Sequence, residues 1–158
     1  MKHAKHYDRN KTAANRFAAI NKLMAAKVEK EPVTDEYAAV LEIRAYTALD
    51  AITRGHGGKP QWDLIARCLN QAWLFAKGGL GAEVKDVLDA SHEAMRRMIP
   101  HFDRTGQVAF ACEIDRKKVE EALSLWGAQL RMANIGEVDV ATQIIEREYW
   151  AHVERRVA

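Results

Sequence analysis

Apolar residues recur every three to four positions along most of this chain, with polar or charged residues between them. That period belongs to α-helices that bury one face. β-branched runs are scarce and there are only three prolines, so the pattern predicts an all-α fold. The first helical segment, Asn10 to Val28, places Ala13, Phe17, Ile20 and Met24 at a narrow a/d spacing, with Lys11, Arg16, Lys22 and Lys27 outside the stripe. Pro32 breaks it, because proline lacks a donor N–H and disfavours helix just before it.

Thr34 is a good N-cap for the next helix, and Asp35 and Glu36 suit its first turn. Its apolar positions include Tyr37, Val40, Leu41, Ala45, Ala48, Leu49 and Ile52, and the glycines of Arg54 to Gly58 end it. Pro60 opens a third helix, about Gln61 to Ala76. Trp62, Leu64, Ile65, Cys68, Leu69, Trp73, Leu74 and Phe75 fall on nearly all its sides, so it is the expected central helix.

A fourth helix, about Ala82 to Ile99, is expected to bury Val84, Val87, Leu88, Met95 and Ile99 and to stop at Pro100. His101 to Ile114 is weakly helical; Thr105-Gly106 reads as a turn and Val108 to Cys112 as a short extended or irregular piece. A fifth helix, about Asp115 to Ala133, points Val119, Ala122, Leu123, Trp126 and Leu130 inward, with Arg116–Glu120 and Lys117–Glu121 pairs outside. Asn134-Ile135-Gly136 is a break. The sixth helix, about Glu137 to Arg156, carries Val138, Ala141, Ile144, Ile145, Tyr149 and Val153. The expected architecture is a helical bundle of about five core helices plus an N-terminal basic amphipathic helix. Residues 1–30 form the basic arm and 31–158 a single helical domain.

Charge sharpens that division. Residues 1–30 hold eight Lys or Arg against Asp8 and Glu29, a formal +6. The whole chain is +2, which leaves −4 for the remainder. A basic segment on an acidic body points to a polyanionic or acidic partner for one of them. With 48% apolar and 29% charged residues the chain has the balance of a globular domain and not of a disordered one. No stretch has the length and apolarity of a membrane span. The opening MKHAKHYDRN has no apolar core of a signal peptide, so a cytoplasmic location with no membrane contact is expected. Cys68 and Cys112 lie far apart and outside any C-x-x-C pair, which fits reduced thiols.

Three constellations carry candidate chemistry. Lys2, Lys5, Arg9, Lys11, Arg16, Lys22 and Lys27 could contact a phosphate backbone through counterion release, with His3, His6 and Tyr7 available for stacking. The Phe17, Ile20 and Met24 stripe could pack on the bundle, meet a partner helix or pair two copies of the chain. Asp89, His92 and Glu93 place carboxylates and an imidazole on one helix, as metal-ligand pairs are placed; no second such motif completes a site, so no cofactor is expected.

Other motifs are missing or misplaced. A helix-turn-helix across Gly78 to Gly81 would present Glu83 and Asp86 to DNA phosphates, which is the wrong charge. Gly55 to Lys59 follows a helix C-terminus, whereas phosphate loops precede an N-terminus. No nucleophile elbow, Walker motif or dinucleotide fingerprint is present. Trp62, Trp73 and Trp126 read as core, and adjacent Tyr149 and Trp150 cannot face the same way, so one of them should be partly exposed.

Trp62, Leu69-Asn70, Gly79-Leu80-Gly81, Glu93-Ala94-Met95, Thr105-Gly106 and Gln129-Leu130, between Gly57 and Asn134, give the chain a resemblance to a family. So does the opening Tyr7 to Phe17. It resembles a family of small helical accessory proteins of proteobacterial phages and mobile elements. The shared positions are turn glycines and core residues, so the resemblance implies a bacterial accessory role and assigns no catalytic residue.

The leading expectation is a non-enzymatic helical binding protein that acts by protein–protein contact, as a regulator or inhibitor encoded by a mobile element. The alternatives are a nucleic-acid-binding protein using the basic segment and a metal-binding helical protein. Homodimerisation is compatible with the apolar stripe.

Overall fold

The computed structural model describes residues 30–157, and of residue 150 and residues 152–157 the backbone alone. The described residues form an all-α bundle of five long helices and one short one: α1 (Asp35–Thr53), α2 (Lys59–Lys77), α3 (Lys85–Arg97), α4 (Ile99–Thr105), α5 (Glu113–Met132) and α6 (Ile135–Val157). A single 3-10 turn, Ala82–Val84, precedes α3. The expected basic helix, with Lys2, Lys5, Arg9, Lys11, Arg16, Phe17, Ile20, Lys22, Met24 and Lys27, lies outside the described residues.

The helix starts follow from their capping residues. The Thr34 hydroxyl accepts the Tyr37 N–H (3.2 Å) and opens α1. Gly58 donates its N–H to Gln61 Oε1 (2.9 Å) at the start of α2, with Pro60 in the first turn. Asn134 and Glu137 cap α6 reciprocally: each backbone N–H donates to the other's side chain, at 2.8 and 2.9 Å. That capping box starts the helix at Ile135, two residues before the expected Glu137.

α2 is the centre of the bundle and packs against α1, α3, α5 and α6. Ile65 and Leu69 of α2, Leu88 of α3 and Val119, Leu123 and Leu130 of α5 are fully enclosed. All five expected inward residues of α5 are buried, Trp126 among them. Trp62, Leu64, Trp73 and Leu74 are only half-buried, so α2 is less completely wrapped than its composition suggests.

The fourth segment departs furthest from expectation. The fourth segment divides into the 3-10 turn, α3 and α4, and Pro100 sits in the first turn of α4 instead of ending a helix. Proline lacks only a donor that a first turn leaves unused, so it suits a start as well as a stop. Ile99, expected inside, is exposed, and Met98 takes the buried place.

The apolar positions of α1 divide between two faces. Ala38, Ala45, Ala48, Leu49 and Ile52 form its buried face, whereas Tyr37 and Val40 point outward. Small alanines let α5 approach closely, and at the contact Gly127 meets Glu42. Arg131 then clamps the Glu42 carboxylate through two hydrogen bonds of 2.6 and 2.9 Å. Ahead of α1, the strap Glu31–Val33 is tied to the α5–α6 junction. Glu31 O accepts the Ile135 N–H (2.9 Å), and the Val33 N–H donates to Ala133 O (3.1 Å).

Candidate interaction surface

Tyr37, Val40 and Ile43 are spaced three apart on α1, so they lie on one face. They are 49%, 50% and 65% exposed, on the side of α1 that its buried alanines leave outward. A row of large apolar side chains left in water on one helix face is a feature that a partner can use. The row runs into an open groove of about 360 Å³ between α1 and the start of α2. Ile43 belongs to both. Thr47, Ala48 and Ala51 form the α1 wall, Pro60, Gln61 and Leu64 the α2 wall, and Arg44 stands at its edge.

The electrostatics of this face are one-sided. α1 carries Asp35, Glu36, Glu42 and Asp50 against Arg44, a formal −3. Arg131 offsets part of this. Its guanidinium holds the Glu42 carboxyl below the usual carboxylate range and reaches Asp35 at 3.5 Å. Asp50 pairs with Arg54 at the helix end (2.8 Å). Glu36 precedes the apolar row in the first turn of the helix.

The metal candidates are close in sequence but have separate partners. Asp89 accepts the Trp73 indole N–H (3.1 Å) and pairs with Lys85 (2.8 Å), whose ammonium lowers the Asp89 pKa. His92 Nε2 meets Asn70 Oδ1 at 2.9 Å, and Glu93 pairs with Arg96. Burial lowers the His92 pKa, with Arg96 acting in the same direction. Among the described residues no group of three or more His, Cys, Asp or Glu is placed to hold a metal ion. No helix among them is long and apolar enough to cross a membrane.

Two polar devices escaped sequence reasoning. Gln71 accepts the buried Trp126 indole N–H (2.9 Å) and donates to Thr142 Oγ1 (3.3 Å), which joins α2, α5 and α6. Gln129 donates to Ala72 O (3.1 Å) and Leu80 O (2.9 Å), fastening the turn after α2 onto α5. Gly81 in that turn has φ +74°, and a Cβ there would press on Gln129 at 3.3 Å. A glutamine in a helix ordinarily reads as surface, so hydrophobic periodicity marks neither one as buried. Cys68 is buried, which pushes its thiol up to about 12; Cys112 is exposed.

No known protein family, curated protein or solved structure matches the chain.

Proposed function

We propose that this chain is a non-enzymatic binding protein that docks a basic amphipathic helix on the α1 face. The observation that carries the reading is the exposed Tyr37–Val40–Ile43 row leading into the α1–α2 groove. A helix laid there buries apolar residues three and four apart, the pattern of helix-in-groove recognition. Glu42 and Asp50 are paired with Arg131 and Arg54, so Asp35 and Glu36, in the first turn before the row, are what favour basic flanks over acidic ones. In the bacterial mobile-element setting that the sequence resembles, such a protein acts as a regulator or inhibitor of a host protein.

The test is fluorescence anisotropy with a labelled peptide carrying leucines every third or fourth residue and lysines elsewhere. The expected result is binding of this peptide, no binding of its glutamate counterpart, and weakening by about tenfold or more in Ile43→Asp. Equal affinity of Ile43→Asp and the unmodified protein would remove the α1 face as the site.

A second reading is favoured by the +6 of residues 1–30, which suits a nucleic-acid backbone. Lys2, Lys5, Arg9, Lys11, Arg16, Lys22 and Lys27 would supply the phosphate contacts. Anisotropy with a labelled duplex across a salt series separates the two readings. Phosphate contacts give a steep loss of affinity with salt, and apolar docking gives a shallow one.

A further inference from the structure

We infer that the α1 face pairs two copies of this chain, antiparallel, about a two-fold axis at Val40. The inference rests on the helix-docking reading above and adds its regulation, because a second copy competes for the same face.

The order of residues along α1 supports it. Tyr37, Val40 and Ile43 are equally spaced, so Val40 is the centre of the exposed row. Glu36 and Arg44 each lie four residues from that centre, are exposed, and carry opposite charges. The face is therefore symmetric in its apolar residues and antisymmetric in its charges. An isologous contact needs such a face, since one patch must complement itself.

Charge sets the orientation. In an antiparallel pair centred on Val40, Glu36 comes level with Arg44 of the second copy, and the two-fold repeats that ion pair at the other end. A parallel pair would set Glu36 on Glu36 and Arg44 on Arg44, and would place like ends of the helix dipoles together. Among the described residues the ion pairs of α1 use Asp35, Glu42 and Asp50, and neither Glu36 nor Arg44 has one.

The edges of the row agree with this pairing. Tyr37 and Arg44 are seven residues apart, about two helical turns, so they share an edge. It is the edge next to α2, where Arg44 lines the groove. A two-fold lying in the interface keeps that edge on the same side in both copies. The Tyr37 ring therefore falls on Arg44 of the second copy, a cation–π arrangement at the mouth of its groove. Pairing withdraws from water the apolar row that the fold leaves exposed. A contact this small dissociates on dilution, and a basic helix gains the face only from the open fraction.

Sedimentation equilibrium of the full chain over a dilution series tests this. It compares the unmodified protein with Ile43→Asp, Glu36→Arg, Arg44→Glu, and an equimolar mixture of the last two. All three positions are exposed, and circular dichroism verifies that each variant keeps its helices. The unmodified protein should reach the mass of two chains as concentration rises, and Ile43→Asp should stay monomeric. Each charge variant should dimerise about tenfold more weakly, because like charges then face each other at both ends. The mixture should recover the original dimer, since each variant supplies the charge that the other lacks. A monomer mass at every concentration up to about 1 mM would overturn the inference. So would a dimer that survives Ile43→Asp, which would lie on another face. Charge variants that the mixture does not rescue would overturn it as well.

The lysine–leucine peptide keeps this separate from the parent reading. It should convert the dimer to a peptide-loaded monomer at saturation. Peptide binding by a protein that is monomeric throughout would sink the pairing and spare helix docking. A dimer rescued by the mixture, with no peptide binding at any dilution, would support the pairing and sink the docking of a basic helix.

Discussion

Gly127 of α5 lies so close to Glu42 of α1 that a Cβ at position 127 would overlap Glu42 Oε1 and stand 2.7 Å from its Cδ. The glycine is therefore what admits the Glu42–Arg131 clamp between the two helices.

That relationship gives opposite signs to one substitution in two backgrounds. In a helix interior Gly→Ala ordinarily stabilises by about 0.5–1 kcal/mol. Here the added methyl must expel a carboxylate that Arg131 holds, so Gly127→Ala should destabilise by roughly 1–2 kcal/mol. In a Glu42→Ala background the obstacle is gone, and the same change should stabilise. Urea unfolding of the four proteins completes the cycle. Additive effects would show that Glu42 moves aside freely.

The tryptophans separate by burial. Trp126 is 2% exposed and its indole N–H is tied to Gln71, so Trp126→Ala should cost about 3–5 kcal/mol. Trp126→Phe keeps most of the volume and strands the Gln71 carbonyl, which should cost about 1–3 kcal/mol. Trp73 is half-buried and lies under Lys77 at 5.1 Å from the ring centre. Trp73→Ala should therefore cost less than Trp126→Ala, although both read as core from sequence. The order of urea midpoints decides between the two residues.

Much of this fold was legible because one physical signal dominated each stretch. Thr34 had a cap geometry to satisfy, and α5 has one apolar stripe against one partner surface. α1 was ambiguous, because it carries apolar residues on two faces and periodicity does not say which meets the core. The smaller side chains won that contest, since Ala38, Ala45 and Ala48 allow close packing and Tyr37, Val40 and Ile43 do not. Tyr37 and Val40 were legible as apolar positions of this helix, but periodicity did not show that they stay exposed. Asp89, His92 and Glu93 were correctly placed on one helix. Their partners Trp73, Asn70 and Arg96 are set by packing and rotamers, which residue spacing does not encode.

Asp115 should govern acid stability at the α3–α5 junction. Its carboxylate is buried and accepts two hydrogen bonds from Arg97, at 2.6 and 2.8 Å. The guanidinium holds the Asp115 pKa below its ordinary 3.8. A lowered folded-state value means that the pair stabilises above 3.8 and that this stabilisation is lost as the pH falls from there through the folded value. Asp115→Asn should therefore lower the urea midpoint near pH 7, with the difference from the unmodified protein shrinking towards about pH 3. A difference that does not change with pH would mean that packing, not charge, accounts for the loss.

His92 acts in a higher pH window. Its ring is half-buried between α3 and α2, with Nε2 on Asn70 Oδ1. Burial disfavours the imidazolium, and Arg96 adds to that; Asp89, Glu93 and the Leu88 carbonyl oppose it without reversing the sign. The folded-state pKa thus lies below the ordinary 6.5. As the pH falls through 6.5 the unfolded chain takes up a proton that the folded chain resists, so stability drops until the folded value is passed. His92→Gln can still donate to Asn70 and carries no titrating group, so it should flatten the decline in urea midpoint between about pH 7.5 and 5.5. A slope equal to that of the unmodified protein would place the responsible group on another histidine and leave His92 a packing residue only.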